Sequence, residues 1–252
     1  MQSNNVAKVV LVALHLADGS TAQFLSRHAD NAQTLSRILK DVEEREYVLQ
    51  YRRLVDRQRS LAGKLLARYV ISTEYGIEWH AIAFEREANG RPRAAHELLQ
   101  DGFDFNIAHD GDWVVLVAFV PARGQVDTVV QPHRRVGVDV MEIAIPWQES
   151  TNDCMRINRV MTIWTLKEAY TKAMGEGLKA DLTKIQFSAP AGTEHGATCS
   201  VNGHNLDNWT FRTIQTNEDY IVAVAVNEKD AAVPDLHVVT LTDLEQAMKI
   251  KQ

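Results

Sequence analysis

Three stretches of this 252-residue chain carry side chains whose type and spacing could do chemistry. In Val136-Gly137-Val138-Asp139-Val140-Met141 the alternation predicts a strand with its valines on one face and Gly137, Asp139 and Met141 on the other. Asp139 is then a carboxylate set in an apolar strand, compatible with a strand end or with a ligand position. Glu142 has the opposite parity and cannot join Asp139 on that face without a bulge. In the run from Trp164 to Lys172, helical spacing puts Trp164, Glu168 and Lys172 on one stripe, while Lys167 points about 100° away. Taken alone, Glu168 and Lys172 read as a surface ion pair worth about 0.3–0.5 kcal/mol. His109 falls in a tight connection, His109-Asp110-Gly111-Asp112, which holds its imidazole at a rim rather than in the core. The other eight histidines have no partner at useful spacing.

The elements that must position these groups are legible from periodicity. A Val- and Leu-rich strand is predicted over 8–16, followed by a helical pattern over 31–70 in which Leu61, Leu65, Leu66 and Val70 alternate with an outward basic side of Arg57, Lys64 and Arg68. Strands follow at 80–86, 105–108 and 113–120, with a Gly90-Arg91-Pro92 turn between the first two. Residues 121–135, with two prolines, a glycine and no periodicity, mark a junction between subdomains 1–125 and 126–252. Beyond it a strand (136–143), a helix (159–174) and strands at 184–188, 209–216 and 220–226 repeat the earlier order, which suggests two similar halves. A last helix is expected from Thr242, capped by its hydroxyl with Glu245 completing a capping box.

Hydrophobic content of 45% and charged content of 24% describe a globular chain and exclude disorder or fibrous repeats. The net charge of −6 excludes a globally basic nucleic-acid or membrane-surface protein. Locally, Arg52, Arg53, Arg57, Arg59, Lys64 and Arg68 face only Asp56, a run that suits a polyanion or a solvated helix face. Two distant cysteines, Cys154 and Cys199, indicate neither a zinc site nor a disulfide framework and fit a reducing compartment. The N-terminus lacks a signal-peptide pattern, and no apolar run is long enough for a membrane helix.

The segments FNIAHDGDW, VGVDVME and WTLKEAYTKAMGEGL, in that order and behind RSLAGKLLAR and GRP, resemble the 4′-phosphopantetheinyl transferase superfamily. The similarity is to its larger, single-chain type, which includes surfactin synthetase-activating and eukaryotic enzymes. The resemblance implies an α/β (α+β) fold, a pseudo-twofold pair of subdomains, each a small sheet packed on a long helix, with coenzyme A in the cleft between them. It implies a holo-[acyl-carrier-protein] synthase activity, in which phosphopantetheine passes from coenzyme A to a serine of an apo acyl or peptidyl carrier protein, releasing adenosine 3′,5′-bisphosphate. Mg²⁺ is the implied metal, held by Asp139 and Glu168. Glu168, Lys172 and His109 match catalytic positions, and Arg86, Arg91, His109, Lys172 and Arg52 match coenzyme-binding ones. A cytoplasmic monomer, with no nucleic-acid or membrane partner, is expected. A non-catalytic coenzyme A- or carrier-protein-binding module is the alternative, and retention of the two carboxylates with Lys172 favours the enzyme.

The chain departs from the family pattern in three places. Met141 stands where many relatives carry a third carboxylate, and a thioether is a poor ligand for a hard cation, so water is expected to complete the shell. Ala108 replaces a serine beside the histidine, removing one phosphate hydrogen bond worth about 1 kcal/mol. The interval from Asp139 to Glu168 is short, with little pattern over 147–158, and carrier choice is the property most exposed to that loss.

Overall fold

The computed structural model describes residues 6–99, 102–122, 135–143, 152–188, 196–216 and 219–249. In chain order it comprises β1 (Lys8–His15), α1 (Gly19–Ala29), α2 (Ala32–Leu35), α3 (Val42–Leu49), α4 (Leu54–Tyr75), β2 (Ala83–Arg86), β3 (Pro92–Ala95), β4 (Asp104–Asp110) and β5 (Trp113–Val120). There follow β6 (Val136–Glu142), α5 (Asn152–Met174), β7 (Ile185–Ser188), β8 (Thr198–Val201), β9 (His204–Asn205), β10 (Thr210–Gln215), β11 (Tyr220–Val226), β12 (His237–Val238) and α6 (Leu241–Lys249). The expected junction at 125/126 lies outside the described residues.

The mixed α/β character follows from how the apolar residues are distributed. Strand β5, WVVLVAFV, is buried along its whole length because both of its faces are covered. One face, with Val114, Leu116 and Ala118, joins Val12 and Leu14 of β1 under Leu61, Leu65 and Leu66 of α4. The other, with Val115, Val117 and Phe119, meets Val136, Val138 and Val140 of β6 and Val222, Val224 and Val226 of β11. Helix α5 covers the far side of that second sheet through Leu166, Ala169 and Ala173, packed with Phe211, Ala223 and Ala225. The layers therefore run α4, first sheet, second sheet, α5.

Strands β1, β5 and β4 are paired antiparallel in that order, and β6, β11 and β10 repeat the order and sense. Each trio encloses a long helix and a short hairpin in sequence, β2–β3 in one case and β7–β8 in the other. The C-terminal segment crosses back, since β12 adds parallel to β1 and Leu244 and Ala247 of α6 enter the core around α4.

Strands β4 and β6 lie side by side with side chains taking the place of a backbone ladder. Asp104 accepts from the Val136 amide (2.8 Å), Asn106 from Val138 (3.0 Å) and Asp110 from Glu142 (2.8 Å). Alternate residues of β4 thus satisfy alternate amides of β6 at a constant offset.

Three sequence expectations are corrected. The helical stretch over 31–70 is three helices, interrupted where Asp41 caps α3 through the Glu44 amide (2.9 Å) and where the chain turns extended at Arg53. Its basic side does not face outward as a unit. Arg68 is 2% exposed and pairs with Glu44 of α3, which also holds Lys64 at 3.2 Å, so one buried carboxylate draws two cations inward. The final helix is capped two residues earlier than expected, by Thr240, whose hydroxyl accepts from the Asp243 amide while the Asp243 carboxylate accepts from the Thr240 amide.

Candidate active site

The second sheet and α5 touch at Gly137. A Cβ there would run into the Ala169 carbonyl and the Ala173 backbone, so only glycine lets α5 approach this closely. The close approach brings Asp139, two residues along on the same face, against the Glu168–Lys172 turn of the helix. Asp139 is 8% exposed, and its carboxylate accepts from the Lys172 ammonium at 2.6 Å. Burial pushes its pKa above the ordinary carboxylate value, against the opposing pull of Lys172. Burial and then the Asp139 charge also raise the pKa of Glu168. Lys172 has thus turned to Asp139 rather than forming the expected surface pair with Glu168. Lys167 goes elsewhere, donating to the Leu182 carbonyl at 2.8 Å. Met141, on the face of Asp139, receives the Thr165 hydroxyl at its sulfur at 3.9 Å.

The first half supplies a pocket of about 610 Å³ between α3, α4, the β2–β3 hairpin and β4, with Tyr47, Arg59, Lys64, Arg86 and His109 among its lining residues. Its α4 wall is built from positions 56, 59, 60, 63, 64 and 67, one helical face. A Cβ at Gly63 would stand 3.3 Å from the Ile107 side chain, so this face lies close upon β4. Arg86 stacks on Tyr47, 4.2 Å from the ring centroid, and donates to the Gly90 carbonyl at 2.7 Å. Lys64 lies 5.2 Å from the same ring. The Tyr51 hydroxyl donates to that of Tyr47 at 3.1 Å, an arrangement that lowers the Tyr47 pKa; burial, with this bond, raises that of Tyr51 to about 12. His109 lies in β4 rather than in the connection after it, and its side chain opens to the pocket with Phe105 and Ile107. Its surroundings lower its pKa first by burial and then through the charges of Arg59 and Lys172, so it is neutral near pH 7. That influence of Lys172 ties the His109 end of the pocket to the carboxylate site in the second half.

Residues 27–120 match the family described as 4′-phosphopantetheinyl transferase, N-terminal, and residues 145–225 match the 4′-phosphopantetheinyl transferase superfamily. A phosphopantetheinyl transferase of Thraustochytrium sp. is 30% identical over 218 residues, covering 75% of this chain and 70% of its own. The chain belongs to the 4′-phosphopantetheinyl transferase superfamily. It is also similar to the L-aminoadipate-semialdehyde dehydrogenase-phosphopantetheinyl transferase of Xenopus laevis (29% identical; 75% of this chain, 68% of the relative). A 4′-phosphopantetheinyl transferase of Bacillus pumilus is 28% identical, over 75% of this chain and 80% of the relative.

In this transferase Asp139, Glu168, Lys172 and His109 gather where the two halves meet, and Arg86 lines the pocket. Two residues expected at the coenzyme stand apart. Arg52 is exposed just before α4 and is not part of the pocket wall. Arg91 is 6% exposed and turned into the interior, where its guanidinium donates to the Lys172 and Ala173 carbonyls, the Asp104 carboxylate and the Phe105 and Val136 carbonyls. It fastens α5 to β4 and β6. Ala108 belongs to the core between the sheets, so a hydroxyl there would face β6 and not a phosphate in the pocket. In the sequence Arg59 is one member of a basic run suited to a polyanion, with nothing in its charge to set it apart from its neighbours, and Tyr47 stands in no pattern that marks a pocket. Gly63, one turn beyond Arg59, was the available signal for the first, whereas α3 carries no clear apolar stripe that could have oriented Tyr47.

Among the described residues no three acidic, His or Cys side chains form a metal-sized cluster. Asp139 and Glu168 nevertheless suit a hard divalent ion, because both are oxygen donors and Glu168 feels the Asp139 charge, a repulsion that a cation between them relieves.

Proposed function

We propose that this chain moves the 4′-phosphopantetheine group from coenzyme A to a serine of an apo acyl or peptidyl carrier protein, releasing adenosine 3′,5′-bisphosphate. The observation that carries this reading is the convergence of Asp139, Glu168 and Lys172 on the His109 end of the pocket. The pocket takes the nucleotide, with Arg86 and His109 at its phosphates, and the phosphopantetheine linkage extends toward the carboxylates. Subdomains 1–125 and 126–252 contribute these two parts, and since one chain supplies both, the reading is of a monomer. The two-cysteine composition suits the cytoplasm. No helix among the described residues is long and apolar enough to cross a membrane.

Asp139 and Glu168 would hold Mg²⁺, which when bound neutralises phosphate charge and polarises the reacting phosphorus. Glu168, half-exposed with an elevated pKa, is placed to take the serine proton as the hydroxyl oxygen attacks phosphorus. Lys172, on the same helical stripe, supplies a positive charge for the leaving bisphosphate. Buried Asp139 holds the Lys172 ammonium in place from the sheet side.

Intact mass spectrometry of an apo carrier protein incubated with this chain, coenzyme A and Mg²⁺ tests the reading. A gain of one phosphopantetheine that disappears with EDTA and with Glu168→Gln is expected, while that variant still binds coenzyme A. Coenzyme binding with no mass gain on several carriers would identify a binding module instead.

A further inference from the structure

The run of cations on and before α4 resolves into side chains with different commitments. Arg57 is turned from the pocket to the Tyr51 carbonyl (2.7 Å) and Asp30, and Arg68 is buried on Glu44. Lys64 lines the pocket but is held by Glu44, and Arg86 is engaged by Gly90 and Tyr47. Arg59 is different. One terminal nitrogen donates to the Gly111 carbonyl at 2.7 Å, and the other makes only a loose 3.8 Å pair with Asp56. Its Nε is buried with no hydrogen-bond partner. A guanidinium carries five donors in a planar fork matched to phosphate oxygens. This fork lies in the pocket wall beside His109, and its charge acts on that imidazole together with the Lys172 charge arriving from the second half.

Resting on the transferase reading above, we infer that Arg59 is a coenzyme-binding residue that donates to a phosphate held at the His109 end of the pocket and positions His109 by tying the Gly111 turn to α4. Three cationic or neutral donors, Arg59 from α4, His109 from β4 and Lys172 from α5, then surround the phosphate chain between the pocket and Asp139. The Gly111 bond has a structural consequence of its own. Gly111 lies at φ +50°, and a Cβ there would strike the Tyr220 hydroxyl, so the turn is confined between β11 and Arg59. Holding the turn holds the strand end that bears His109.

The test is isothermal titration of coenzyme A into the whole chain and into Arg59→Gln and Arg59→Lys. Glutamine is two atoms shorter than arginine and removes the Gly111 bond together with the charge and the fork, whereas lysine keeps the charge and a donor of nearly full reach. Affinity is expected to fall roughly ten- to a hundredfold in Arg59→Gln, the range for losing hydrogen bonds to a charged group, and less in Arg59→Lys. In parallel, NMR titration of the His109 ring is expected to give a higher pKa in Arg59→Gln than in the parent, with Lys172, Asp110 and Asp56 unchanged around it. That shift reports the Arg59 charge beside His109, and a smaller affinity loss in Arg59→Lys than in Arg59→Gln is the result that a role without the charge would not give. If the parent binds coenzyme A and Arg59→Gln binds it equally well, the inference about Arg59 is wrong and the transferase reading stands. If the parent does not bind coenzyme A at all, both fall.

Discussion

Replacing Arg91 by methionine keeps the apolar stem of the side chain and removes its guanidinium. Five donated hydrogen bonds of 2.7–2.9 Å disappear with it, to the Lys172 and Ala173 carbonyls, Asp104, and the Phe105 and Val136 carbonyls. Asp104, 13% exposed at its side chain, is left with the hydrogen bond from the Val136 amide and becomes a buried charge without its ion-pair partner. Burial already pushes the Asp104 pKa up against the opposing pull of Arg91, so removing the arginine drives it further toward the neutral acid. Breaking a buried pair in this way costs about 3–5 kcal/mol. The orphaned carbonyls act in the same direction, but their costs overlap with that figure and are not added to it. Against a total stability of about 5–15 kcal/mol this is a large fraction. For a chain of this size it corresponds to a fall of roughly 6–20 °C in unfolding midpoint. Urea titration followed by circular dichroism measures the loss, and the double variant Arg91→Met/Asp104→Leu is expected to recover much of it by removing the stranded carboxylate. A loss below about 1 kcal/mol in the single variant would refute the fastening role of Arg91.

Gly137→Ala is expected to cost about 3 kcal/mol or more, because its Cβ meets backbone rather than a movable side chain, and near-parental stability in urea would mean that α5 shifts freely. Lys172→Met should tighten Mn²⁺ binding measured by electron paramagnetic resonance without coenzyme, since it releases Asp139 from a 2.6 Å ion pair; unchanged affinity would show that the ammonium does not compete for that carboxylate. The depressed His109 pKa means that the native state resists a proton which the unfolded chain accepts near pH 6.5. Stability therefore declines as pH falls below that value, and His109→Gln is expected to make the decline shallower in urea titrations at about pH 7 and pH 5.5.

The strands were legible because their apolar content and turns are local. The segments over 113–120 and 220–226 coincide with β5 and β11, and the parity of Val136–Glu142 correctly divides valines toward the other sheet from Gly137 and Asp139 toward α5. Helix α5 is longer than its pattern suggested, beginning at Asn152 with Met155, Ile157 and Val160 exposed, so these apolar residues mark no buried face to read. The functional carboxylates were found because they sit on such regular elements. The cations were harder, because a sequence shows a charge but not its counterion. Glu44 lies one helix away from Lys64 and Arg68, and Arg91 finds its partners on β4, β6 and α5, contacts that exist only after the chain has folded. A basic run therefore looked like one surface, although its members enter a pocket, a core and a loop contact.

The side-chain seam between β4 and β6 bears on solubility as well as on the site. β4 ends a four-stranded sheet and β6 a three-stranded one, and an open strand rim invites another molecule to add to it. Here the rim of β6 is occupied at Val136, Val138 and Glu142 by Asp104, Asn106 and Asp110, acceptors too short and too specific in spacing to be supplied by a passing extended chain. The two sheets thus shield one another from intermolecular strand addition. A fragment carrying either half alone would expose that rim and tend toward aggregation, so the same contacts that align the pocket with the carboxylates also keep the folded chain from polymerising.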